Sequence, residues 1–229
     1  MLAKKQKLSK KEIKEDKLVT TYFQVQQFYS EYQSQVLSIA AAVVVVVVIY
    51  LFYSNNMAKN DLAATTELSR IMDIYNSGSY QEAIDGHPNT NLVGLKSIVE
   101  EYGSTEQGEN AKIFLANSHY YLGDYDVARE YYSSYSGDNE LFKATALAGV
   151  AACDEAQGKY SDAADNYYDA AKLSEENPLD GDYLLKSGEN MKKSGDDEGA
   201  KKIFESIIKD YAGTQSAQQA TRLLTTVTE

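Results

Sequence analysis

Residues 36–53, VLSIAAAVVVVVVIYLFY, run for eighteen residues without a charge and include six consecutive valines from Val43 to Val48. As a helix rising about 1.5 Å per residue, this segment covers roughly 27 Å, close to the hydrocarbon thickness of a bilayer. A surface helix of a soluble domain keeps one polar face, and this segment has none. A cleaved signal would have a shorter apolar core, a short leader and small residues at its exit. Here a lysine-rich leader of thirty-five residues precedes the segment, and Tyr50, Phe52 and Tyr53 close it. Aromatic side chains at that depth suit a membrane interface. The expectation is an uncleaved signal anchor that crosses a membrane once.

The chain then divides into a cytoplasmic leader with an amphipathic helix (1–35), a transmembrane helix (36–53) and an acidic domain (54–229). The leader holds seven lysines against four acidic residues, a net of +3. With −12 over the whole chain and a neutral span, the domain carries −15. Counted over the whole leader, the lysine excess holds the N-terminus in the cytoplasm. Counted only near the two ends of the span, Lys17 faces Lys59 and Arg70, and the bias vanishes. The expectation is N-terminus in and domain out, because long domains cross largely regardless of charge. Within the leader, Leu18, Tyr22, Val25, Tyr29, Tyr32 and Val36 fall at spacings of four and three, one stripe of a helix. That helix either lies on the inner membrane surface, pairs with a partner helix, or extends the transmembrane helix.

The acidic domain repeats itself. A Gly-x-Tyr-x-x-Ala core occurs as Gly78, Tyr80, Ala83, as Gly123, Tyr125, Ala128 and as Gly158, Tyr160, Ala163, and returns as Gly195, Asp197, Ala200. The glycines are 45, 35 and 37 residues apart. A glycine lets the chain end one helix in a left-handed turn, and an alanine lets two antiparallel helices approach closely. After each turn the apolar residues keep helical spacing, as in Tyr160, Ala163, Ala164, Tyr167, Tyr168 and Ala171, or Ala200, Ile203, Phe204, Ile207 and Ile208. The two prolines, Pro88 and Pro178, fall in expected loops. The fold expected is all-α, about four helix-turn-helix units plus a C-terminal capping helix, with the first unit interrupted by DGHPNTNLVG.

Spacing and residue types resemble the tetratricopeptide repeat family, most closely over 105–211. Gly158, Tyr160, Ala163, Tyr167 and Ala170 carry the motif completely. In the fourth unit Gly188, Gly195, Ala200 and Phe204 match, while Asp197 and Ile207 depart from it; in the second, Ala116, Gly123, Tyr125, Ala128 and Tyr132 match, and Tyr135 replaces an alanine. Leader, anchor and acidic repeats together, with the phrases YGSTEQGENAKIFLANSHYYLGDY and YAGTQSAQQATRLL, look similar to the YfgM-type ancillary subunits of the bacterial Sec translocon. That resemblance implies a single-pass protein of the bacterial inner membrane whose periplasmic domain docks translocon, chaperone or newly exported polypeptides. Lipoprotein relatives of outer-membrane assembly would need a lipidated cysteine near the N-terminus, and the one cysteine is Cys153.

No motif of chemistry is legible. The sequence lacks a phosphate-cradling glycine loop, G-x-S-x-G, C-x-x-C and H-E-x-x-H, so no catalytic, cofactor or metal residue is expected and the chain is read as no enzyme. His87 sits in a turn, His119 among helix-packing positions, and Cys153 in a core. Asp180–Asp182 and Asp196–Glu198 read as solvated turns without calcium-loop spacing. A domain at −15 is unsuited to nucleic acid and suits basic or amphipathic polypeptides. Its tyrosines come partly in pairs, and tyrosine offers wide contact area with a hydroxyl. Of each pair one member belongs to the repeat core. The other, Tyr121, Tyr131 or Tyr168, is the candidate for partner binding, with Leu122, Tyr132 and Tyr167 assigned to buried positions. The alternative function is a structural or assembly subunit whose repeats act as a spacer.

Overall fold

The computed structural model describes residues 10–173 and 177–227. Among them the chain forms ten α-helices and one small two-stranded ribbon. It divides after Asn56 into two compact bodies.

Helix α1 spans Lys10–Asn76, and its backbone leaves helical geometry at Tyr32 (φ −112°, ψ 19°). No proline stands there, and Ser30 Oγ bonds the Gln27 carbonyl at 2.8 Å just before the kink. From Val43 to Tyr53 every side chain is exposed. Among the described residues, Val19–Asn76 is the one helix long and apolar enough to cross a membrane.

The second body is built from repeated hairpins. The end of α1 packs on α2 (Tyr80–Asp85) through Leu68, Ile71, Ala83 and Ile84, and α4 (Glu106–Leu122) pairs with α5 (Tyr125–Ser133), α6 (Glu140–Ala156) with α7 (Tyr160–Lys172), and α8 (Asp180–Ser194) with α9 (Asp197–Asp210). All four turns share one geometry. Gly78, Gly123, Gly158 and Gly195 hold φ of 80°, 87°, 76° and 91°. Each glycine amide bonds the carbonyl three residues back, and the following amide bonds the carbonyl five residues before it, as in Gly123 to Tyr120 (3.0 Å) and Asp124 to His119 (2.9 Å). These bonds satisfy carbonyls that a helix end otherwise leaves open. A Cβ on any of these glycines would meet nothing within 4 Å, so the turn requires their left-handed conformation rather than space.

The next helix starts equally uniformly. The amides of Ala83, Ala128, Ala163 and Ala200 bond the carbonyl of the residue after the glycine at 2.8–3.0 Å, and all four alanines are 0% exposed. Nine residues past the glycine, Tyr132, Tyr167 and Phe204 are buried between helices. Tyr132 and Phe204 fill space that glycines leave open: a Cβ on Gly149 would lie 2.5 Å from the Tyr132 ring, and one on Gly188 would lie 2.6 Å from that of Phe204. Full burial of Phe204 contributes about 1.5–3 kcal/mol.

In the first hairpin the second helix is cut. Helix α2 stops at Asp85, β1 (Gly86–His87) pairs antiparallel with β2 (Leu92–Val93) around Pro88–Thr90, and the helix resumes as α3 (Leu95–Tyr102). Ile84, Leu95 and Ile98 lie in one buried cluster, so the insertion interrupts the helix without interrupting the core. Four such clusters follow one another along the body, each drawing on successive helices as in a one-dimensional repeat array. Helix α10 (Gln215–Thr225) closes the last of them with Ala217 and Ala220.

Two expectations need correction. Asp180–Asp182 form no solvated turn: they are the first residues of α8, where Asp180 and Gly181 are buried and Asp182 stays exposed. Asp180 is 4% exposed, and Asp182 accepts a hydrogen bond from Ser216 of α10. Leu122 is not buried; it is 42% exposed, and Tyr120 packs into the cluster of Ala116, Ala128 and Cys153 in its stead.

Candidate functional site

The turn places a tyrosine at the first residue of α2 and of α5. From there a chain of rings crosses three hairpins. Tyr125 meets Tyr120 (5.4 Å between centroids), Tyr120 meets Tyr121 edge-on (5.8 Å), and Tyr121 stacks on Tyr80 at 4.7 Å and 14°. Tyr80 then meets Tyr75 (5.7 Å), Tyr75 meets Phe114 (5.3 Å), and Phe114 meets Phe142 of α6 (6.5 Å). Most of this chain is packed, but Tyr121 is 61% exposed. Leu122 and Val127 are exposed beside the same turn. An exposed ring held by stacking on a half-buried one, with two exposed aliphatic residues at the same turn, is a rigid apolar surface of the kind partners bury.

The three candidate tyrosines are not brought together. Tyr131 is half-buried, touches the cores on either side of it, and stacks on His119 at 5.7 Å and 13°. His119 Nδ1 in turn lies 3.3 Å from Asp124 Oδ2. Tyr168 of α7 is 38% exposed with the Lys172 ammonium 5.5 Å from its ring centre. Among the described residues no ring contact joins Tyr168 to Tyr121 or Tyr131. The partner residues Tyr132 and Tyr167 are buried, and burial pushes both hydroxyls far above the usual phenol range. The stacking of Tyr80 on Tyr121 and the exposure of Leu122 and Val127 at the same turn were not expected from the sequence. The glycine-tyrosine phrase marked Tyr80, but only as a turn residue.

The exposed charges of α5 and α7 are mostly acidic, with Asp126 and Glu130 on α5 and Asp162, Asp165 and Asp169 on α7. The buried and half-buried carboxylates have other work. Asp154 receives Arg129 Nε at 2.9 Å and Asn166 Nδ2 at 3.2 Å, tying α5, α6 and α7 together. Glu155 receives Lys193 Nζ of α8 at 2.5 Å, with Lys186 at 4.0 Å. Burial alone would raise its pKa, but the Lys193 hydrogen bond and the Lys186 charge outweigh burial and hold it below the usual carboxylate range. Glu109 holds the 134–138 connection, accepting from the Ser136 amide at 2.8 Å and its hydroxyl at 3.1 Å.

Among the described residues no group of three or more histidine, cysteine, aspartate or glutamate side chains could hold a metal ion. Cys153 is fully buried, and burial together with the neighbouring Asp154 pushes its thiol up to about 11. A thiol so placed is a poor nucleophile at neutral pH.

Comparison with known proteins gives one match. The family model described as tetratricopeptide repeat matches residues 182–214, which cover most of α8, all of α9 and the turn before α10. No curated protein and no solved structure matches the chain. A tetratricopeptide repeat is thus found at 182–214, and the preceding three turns reproduce the glycine geometry of that unit.

Proposed function

We propose that this protein is a membrane-anchored docking scaffold, with 36–53 crossing the membrane, the leader in the cytoplasm and the repeats outside it. One observation carries the docking part: Tyr121, exposed while stacked on half-buried Tyr80, with Leu122 and Val127 exposed at the same turn of an acidic helical-repeat body. Tetratricopeptide repeats are interaction modules in general, and the match at 182–214 favours that class over catalysis. The surface suits basic or amphipathic polypeptides, whose charge the domain attracts and whose apolar residues the rings cover. The resemblance of leader, span and repeats suggests a Sec-type translocon, a periplasmic chaperone or newly exported chains as the partners, at a bacterial inner membrane. Tyr168 offers a second, smaller contact of the same chemistry.

The test uses full-length protein in detergent micelles and a labelled lysine-rich amphipathic peptide, followed by anisotropy. Binding should weaken as salt rises through the physiological range, because exposed charges are screened over about 8–10 Å. Tyr121→Ala should weaken it roughly tenfold, about 1.4 kcal/mol, while leaving the melting transition in place. Binding indifferent to both changes favours a spacer role within a larger complex. Topology is checked by cysteines introduced at Ser9 and Asn56, with the buried Cys153 giving little background. Labelling of position 56 alone from outside the membrane is expected, and the reverse pattern overturns the orientation.

A further inference from the structure

Helices α5 and α7 flank an open groove of about 480 Å³ whose floor is α6. Lys143, Leu147 and Val150 stand along that floor at spacings of four and three, which puts them on one helical face. Tyr132 and Arg129 form one wall, and Leu173 lies at the end of the other. The groove is therefore apolar at its base. Its two charged lining residues, Arg129 and Lys143, are both cations, in a domain that carries −15.

Those two cations are not equivalent. Arg129 is held by buried Asp154, which also has Lys159 within 3.9 Å. Beyond Arg129 the adjoining surface is lined by Asp126 and Glu130 together with Lys159, so that end is mixed in sign. At the other end Lys143 has the aliphatic floor beside it and no acidic side chain among the groove's lining residues. An occupant with an acidic group is accordingly directed toward Lys143 and away from Asp126 and Glu130. Ser133 and Asn166 stand along the walls, where an extended chain would present its amides.

We propose that the α5–α7 groove docks a protein segment carrying an apolar side chain next to an acidic one. The apolar group rests on Leu147, Val150 and Leu173, and the carboxylate pairs with Lys143. This site is separate from the tyrosine surface and takes a partner of the opposite charge. An open, solvent-facing groove with polar groups along it suits a peptide better than a fatty acid, which needs enclosure for its chain.

The experiment uses full-length protein in detergent micelles and a fluorescein-labelled ten-residue peptide of alternating glutamate and leucine. The same peptide with lysine for glutamate, and with alanine for leucine, serves as the comparison. Preferential binding of the Glu/Leu peptide by at least tenfold over either variant is expected, and this arm needs no protein mutant. Lys143→Glu and Leu173→Asp should each weaken that binding at least tenfold with unchanged helical ellipticity, whereas Tyr121→Ala should leave it unchanged. Equal binding of all three peptides overturns the proposal. So does Glu/Leu peptide binding that survives both groove variants, displacement of the peptide by decanoate at comparable concentration, or self-association abolished by Lys143→Glu without any peptide binding.

Discussion

Gly149→Ala sets two known effects against each other. Gly149 lies inside α6, where alanine is favoured over glycine by about 0.8–1.0 kcal/mol. The added Cβ, however, would lie 2.5 Å from three atoms of the Tyr132 ring, against about 3.5–4.0 Å for relaxed carbon contacts. The ring must move by roughly 1 Å, and it has little freedom: it is buried, and its hydroxyl donates to Asn117 Oδ1 of α4. Overpacking of this kind costs about 1–3 kcal/mol, so the net effect is a destabilisation of about 0–2 kcal/mol. In a Tyr132→Leu background the obstacle is gone, and the same Gly149→Ala change should stabilise by up to about 1 kcal/mol. The coupling between the two positions is therefore expected above about 1 kcal/mol. Urea unfolding of full-length protein in detergent micelles, followed by tyrosine emission, measures all four corners of the cycle; the chain has no tryptophan to mask that signal. Equal stabilisation by Gly149→Ala in the parent protein and in the Tyr132→Leu variant would refute the clash with the Tyr132 ring.

Two titrations should run in opposite directions. Glu155 has its folded pKa lowered, so its contribution is present above the unfolded carboxylate value and is lost as pH falls through the folded one. Glu155→Gln should cost about 1 kcal/mol at neutral pH, since Lys193 and Lys186 are half in solvent, and the difference from the parent should close in acid. Asp180 has its folded pKa raised by burial, and its Oδ1 has no hydrogen-bond partner. Its contribution is therefore complete below the unfolded value and is lost as pH rises through the folded one. Asp180→Asn should stabilise by about 0.5–1 kcal/mol at neutral pH, after the few tenths by which the first turn of a helix favours a charge are subtracted. Thermal unfolding across pH 3–8 reads both (the range is about the span of carboxylate and neutral behaviour). A neutral-pH loss of stability in Asp180→Asn, or a gap for Glu155→Gln that widens in acid, contradicts the assignments.

What the sequence made legible was local. A glycine followed after five residues by alanine describes one turn and one close helix approach, and the positive φ at Gly78, Gly123, Gly158 and Gly195 needs nothing from distant chain. The apolar span from Val36 to Tyr53 is legible for the same reason. What escaped depends on three helices at once. Leu122 and Tyr120 both fit a helical stripe, and only the packing of α4 against α5 and α6 decides that Tyr120 turns inward. Asp180 reads as a surface residue until the chain around α10 closes over it. The α5–α7 groove takes Arg129, Lys143 and Leu173 from three parts of the sequence that share no motif. Tyr80 was visible as a turn residue, but its stacking on Tyr121 was not, because the partner comes from the next hairpin.

The fourth hairpin shows which turn residues the fold itself demands. There Asp197 stands where the other three have tyrosine, yet Gly195 keeps φ at 91° and the Ala200 amide still bonds the Asp196 carbonyl at 3.0 Å. Asp196 adds a side-chain cap, accepting from the Gly199 amide at 2.9 Å. The turn therefore closes without a ring, and the aromatic residue is an addition to it rather than a condition of it. Tyr80 and Tyr125 sit at that dispensable position, and both contribute rings to the chain that passes through Tyr121. Their aromatic character contributes to the surface between the first two hairpins beyond anything the turn requires. That excess supports reading the Tyr80–Tyr121 stack as a place where a partner binds.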